Sequence, residues 1–191
     1  MCNQLIEGTA ALIVLLPIHL ILGHFRQKPI RLLYFLFSVY LAAVYHLTGL
    51  PTVQFITFDV TVNLIPFKEF RKEQVLSVLN VAMFVPLGFF LPLLWKKYQN
   101  ILRTLLFGLG ATVTIELMQL LTLRITDIND LITNTLGAFL GYLLFLCANR
   151  RISGFPQPQS ENTDLWQILF LTGGAMFFLQ PLLATLLYSI V

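Results

Sequence analysis

The sequence predicts an all-α protein: a polytopic transmembrane helix bundle of about six membrane helices, with an extended or re-entrant segment before the third. Three observations predict it. Hydrophobic residues make up 57% of the chain and charged residues only 11%, with a mean hydropathy of +0.81. A soluble domain carries roughly 25% charged residues. Apolar runs near the ~20 residues that a bilayer-spanning helix needs recur along the whole chain. Of the 12 Lys and Arg residues, all but Arg103, at the start of its run, fall in the short segments around those runs.

The runs are 5–25, 32–50, 75–95, 101–123, 131–148 and 165–190. The first contains Glu7 and Pro17; it lacks the basic start and small-residue cleavage site of a secretory signal, so it is expected to persist as a helix. Between the second and third runs, in TFDVTVNLIPF, Thr57, Asp59, Thr61 and Asn63 alternate with Phe58, Val60, Val62 and Leu64. That is the period of an extended chain, and Pro66 blocks helix until about Lys68. Pro86 and Gly88 shape the third run. After the fifth, RRISGFPQPQSENTD reads as a flexible linker. One membrane domain, 1–191, is expected, with a core over 30–148, the linker over 149–164 and an additional C-terminal transmembrane helix over 165–190.

Basic residues suggest an orientation. With the first, third and fifth connections in the cytoplasm, eight Lys and Arg lie inside and four outside. Both termini are then expected outside a cell membrane crossed several times, although Lys68, Arg71 and Lys72 fall on the outer side. The net charge of +3 does not indicate nucleic acid, because these cations flank apolar runs and meet lipid headgroups. Cys2 and Cys147 suggest neither a disulfide framework nor a thiol metal site. His19 and His24 are five apart, and with His46 they make no matched pair for haem or metal. Ser153 has no partnered His, so a membrane serine protease is unsupported. The sequence calls for no cofactor and no metal, and singles out no catalytic residue.

Three carboxylates stand out in ELMQLLTLRITDINDLITNTLGAFLGY, a strongly apolar stretch. Glu116 and Gln119 are three apart and share a helix face; Asp127, Asp130, Asn134, Gly137 and Gly141 descend one stripe in steps of three and four. Asn80 in the third run falls at the same depth under the antiparallel arrangement. Gly137 and Gly141 allow close backbone approach of a neighbouring helix. A carboxylate facing lipid costs roughly 2.5 to 3.5 kcal/mol, so Glu116 is expected to face a protein interior or a wet cavity. Asp127 and Asp130 could instead cap the fifth helix, and Asn80 and Asn134 could be interhelical hydrogen-bond glue. Asn63 and its extended segment would cover the mouth of this polar region.

NLIPF at 63–67, NVAMFVPLGFFLP at 80–92, ELMQ at 116–119 and DINDLITNTLGAFLGY at 127–142 resemble, in order and spacing, the signatures of the VanZ-like family. The resemblance covers roughly 30–148. It marks Asn63, Pro66, Phe67, Asn80, Pro86, Gly88, Glu116, Gln119, Asp127, Asp130, Asn134 and Gly137 as the family pattern. Leu79 departs from it, since some relatives carry an acidic residue there. The family is named for a bacterial membrane protein that lowers susceptibility to teicoplanin, and no reaction transfers with the name. With the motif residues at one depth on the expected outer side, the leading expectation is a non-enzymatic binding or gating protein whose outward polar site engages a lipid-linked cell-wall precursor or the glycopeptide antibiotic, beside the lipid bilayer itself. Two alternatives stay open: a metal-dependent intramembrane hydrolase or transferase acting on a lipid phosphate, and a small proton-coupled transporter with Glu116 as relay.

Overall fold

The computed structural model describes residues 2–23, 28–57, 62–63, 74–122, 126–152, 154–156 and 162–189. The protein is an all-α membrane bundle with two very short strands. Its elements are α1 (Cys2–Gly23), α2 (Lys28–Leu47), β1 (Val62–Asn63), α3 (Gln74–Leu94), α4 (Ile101–Gln119), β2 (Thr126–Asp127), α5 (Ile128–Arg151), α6 (Asn162–Gly174) and α7 (Gln180–Tyr188). A π-helical turn, Ala175–Leu179, joins the last two helices. Gln74–Leu94, Ile101–Gln119, Ile128–Arg151 and Asp164–Tyr188 are each long and apolar enough to cross a bilayer. The described apolar stretches of α1 and α2 are shorter, Ile6–Pro17 and Arg31–Leu47.

The chain divides into two compact units, 1–57 with 163–191, and 58–162. In the first, Leu15, Ala42 and Met176 form a buried cluster that Ala11, Val39 and Tyr45 pack against. Glu7 ties its helices together: Oε2 lies 3.2 Å from His46 Nε2, and Oε1 accepts from the Tyr188 hydroxyl at 3.4 Å. The π turn has a local cause. Pro181 has no N–H to give the Phe177 carbonyl four residues back, and that carbonyl instead accepts from the Val53 N–H at 3.0 Å.

In the second unit α3 and α5 run parallel in close apposition, because glycine lets the backbones approach. A Cβ added at Gly137 would run into the Val81 carbonyl oxygen, one at Gly141 into that of Val85, and one at Gly88 into that of Ala138. From the other side Gly108 of α4 faces the Ala138 methyl, where a Cβ would come within 2.9 Å. Ala138, fully buried, thus sits in a layer where three helices meet. The protein-facing stripe of α4 is small or polar over most of its length: Thr104, Gly108, Thr112, Ile115, Glu116 and Gln119. Leu102, Leu106, Leu109, Val113 and Leu117 occupy the opposite, exposed face, as expected for a helix against lipid.

Candidate polar site at one end of the second unit

Each side chain reaches this end for a local reason. Helix α4 stops at Gln119, short of the predicted 123, because the chain tightens into a turn: Leu121 N–H donates to Met118 O, and Thr122 donates to Gln119 O through both its N–H and its hydroxyl. Glu116 therefore occupies the last turn of α4. From there its Oε2 accepts the Asp127 N–H at 3.0 Å, across the reversal that leads into α5. Glu116 is 4% exposed and Gln119 is 5% exposed.

Asp127 is the node of the arrangement. Its Oδ1 accepts the Asn129 N–H at 2.8 Å, which makes it the N-cap of α5 and satisfies a donor that the helix cannot. Its Oδ2 accepts from Asn63 Nδ2 at 3.1 Å. Within the alternating segment 57–64, Val62 and Asn63 are extended: Val62 pairs with Thr126 and Asn63 with Asp127 in a parallel ladder. Pro66 and Phe67 lie outside the described residues.

One turn into α5, Asp130 Oδ1 accepts from Asn80 Nδ2 at 2.6 Å, so α3 joins the same end. Leu79 is 57% exposed, turned away from that bond, so an acidic side chain there would not join Asp130 without a change of face. A turn deeper, Asn134 Nδ2 donates to the Thr112 hydroxyl at 2.8 Å between α5 and α4. Below that pair lies the layer of Gly88, Ala138 and Gly108.

Asn63, Asn80, Glu116, Gln119, Asp127, Asp130 and Asn134, singled out in the sequence for polarity, thus fall toward one end of the α3, α4 and α5 bundle, while Thr57 of the alternating segment belongs to the first unit. Their spacing was informative because it repeats at helical steps. Thr112, Gly108 and Ala138 were not singled out, although Thr104, Gly108, Thr112 and Glu116 recur every fourth residue, the signal of a small-residue interface. Glu7 and His46 were noted singly and not as a pair. Among the described residues no group of three or more His, Cys, Asp or Glu is placed to hold a metal ion.

Comparison with known proteins places the chain. A family model described as VanZ/LLP1 matches residues 37–149, a stretch holding all of α3 and α4, α5 but for its last two residues, and the polar end. The chain is similar to Protein VanZ of Enterococcus faecium, with 34% identity over 97 residues, 49% of this chain and 57% of that protein. It thus spans little more than half the length of that relative. No solved structure matches. Since the matched stretch covers more than half of the chain and carries the motif residues in order, the protein belongs to the VanZ/LLP1 family.

Proposed function

We propose that this protein binds a cell-envelope ligand at the polar end of its second unit and thereby lowers susceptibility to teicoplanin-type glycopeptides. The ligand is the headgroup of a lipid-linked cell-wall precursor or the antibiotic itself, engaged from the outer face of the membrane, and the effect is on the drug's access to its membrane-proximal target. The observation that carries the reading is the convergence of Asn63, Asn80, Glu116, Asp127 and Asp130 from separate segments, joined by side-chain hydrogen bonds within a strongly apolar bundle. Polar groups cost stability at membrane depth unless a partner or a task retains them there. Glu116, Gln119, Asp127 and Asp130 would be the ligand contacts, with Asn63, Asn80 and Asn134 holding them in place. The close-packed layer beneath supports binding over transport, because it leaves the polar column blind at its inner end.

The test is the inhibitory concentration of teicoplanin and of vancomycin for a susceptible Gram-positive host expressing the protein at matched membrane levels. Wild type should raise the teicoplanin value selectively, and Glu116→Gln should abolish the rise. An unchanged teicoplanin value with well-expressed wild type would sink the proposal.

A further inference from the structure

At the opposite end of the second unit the helix ends carry only cations. Lys96 and Lys97 follow α3, Arg103 lies in the first turn of α4, and Arg150 and Arg151 close α5; all five are exposed. No Asp or Glu occurs in 74–115 or in 131–160. The parallel register of α3 and α5, with Gly137 against Val81 and Gly141 against Val85, brings the end of α3 and the end of α5 out together.

The segment carrying three of these cations is built rather than loose. Trp95 is fully buried, and its carbonyl accepts the Tyr98 N–H at 3.0 Å. Thr104 donates to Tyr98 O at 2.6 Å, and Tyr142 reaches across from α5 to donate to Gln99 O at 2.9 Å. Asn100 caps α4 by accepting the Arg103 N–H at 3.2 Å, and the Arg103 guanidinium donates to Lys97 O at 3.5 Å. Lys97 Nζ stands 5.9 Å from the centre of the Tyr98 ring. Such a turn loses little conformational freedom on taking up an anion, and the N-terminus of α4 adds its free N–H groups to the field.

What continues from this turn decides the class of anion. Arg103 lies between Leu102, 62% exposed, and Leu106, 59% exposed, at the start of the apolar stripe that faces lipid along α4. An anion bound here with an acyl chain attached would lay that chain along the stripe; a soluble anion would leave it uncovered.

The geometry points to a binding site for the phosphate headgroup of an anionic phospholipid at the turn 95–103, with Arg150 and Arg151 completing its rim. The site is distinct from the polar end and independent of the function proposed for it. The decisive experiment places the full-length protein in nanodiscs of equal phosphatidylglycerol and phosphatidylcholine and measures, by native mass spectrometry, which lipid stays bound. Wild type should retain phosphatidylglycerol preferentially. Lys96→Gln, Lys97→Gln and Arg103→Gln together should lower that preference by roughly fivefold for each cation removed, and Lys96→Arg with Lys97→Arg should keep it. Should the glutamine variant fail to fold, Arg150→Gln with Arg151→Gln reads the same preference without touching the turn. Equal retention of both lipids by wild type, an undiminished preference in the glutamine variants, or displacement of phosphatidylglycerol by millimolar inorganic phosphate would each overturn the assignment.

Discussion

Asp127 does two jobs that pull on the same carboxylate: one oxygen caps α5 and the other holds Asn63 of the extended segment. Its backbone N–H is meanwhile taken by Glu116. Asp127→Ala should therefore cost about 0.5 to 2 kcal/mol of stability through the lost cap alone, measured as a lowered melting temperature in detergent. Asp127→Asn keeps an oxygen for the cap and should recover most of that loss. The sequence made these polar residues legible because three- and four-residue spacing is a property of one helix. It did not give their partners. Which residue of α4 meets Asn134 depends on how far the antiparallel helices slide past one another, and that register places Thr112 opposite it, not the more conspicuous Gln119. The apolar run that continues to Leu123 left Glu116 short of its helix end. Hydropathy does not register the early stop, which the turn bonds of Leu121 and Thr122 create.

At the scale of elements, the bundle is set by where backbones can touch. Gly137 and Gly141 were visible in the sequence as small residues at helical spacing, whereas Gly88 was read only as shaping the third helix; that Gly88 and Gly108 would meet the same Ala138 from two sides was not visible, since it takes three helices to define the contact. Gly110, two residues on, has open space around it. Gly88→Ala should force the α3 and α5 backbones apart and destabilise by about 1 to 3 kcal/mol, as overpacking does. Gly110→Ala should instead be neutral or stabilise by up to about 1 kcal/mol, because glycine weakens a helix interior. Thermal unfolding of the two variants side by side checks both expectations, and equal losses would contradict the layer.

Considered whole, the described residues of the second unit put carboxylates and amides at one end and Lys96, Lys97, Arg103, Arg150 and Arg151 at the other, while Lys68, Arg71, Lys72 and Arg124 adjoin the polar-end elements in sequence. The positive-inside rule then predicts, by eight Lys and Arg against four, the orientation on which the proposed function depends. In a background of Cys2→Ser and Cys147→Ser, a cysteine at Lys97 should react with a membrane-impermeant maleimide only after the cells are permeabilised. A cysteine at Gln74, exposed at the start of α3, should react in intact cells. The reverse pattern would put the polar end in the cytoplasm and exclude an outer-leaflet headgroup as its ligand. The helix bundle itself was legible from composition and run length, since both report the solvent that a chain prefers. The division into two units was not, because apolar runs do not state which of them pack together.

The layer in which Gly88, Ala138 and Gly108 meet also has an electrical consequence. Backbones in contact leave no room there for water, so the layer belongs to the low-dielectric path along which a membrane potential falls. Moving one elementary charge through a full 100 mV is worth about 2.3 kcal/mol, and a group that stops at the polar end does not cross the part of that drop that lies at the layer and in the buried apolar stretch beyond it. A charged group arriving at the level of Asp130 would feel little of it. Ligand capture at the polar end should therefore proceed equally well in energised and de-energised membranes.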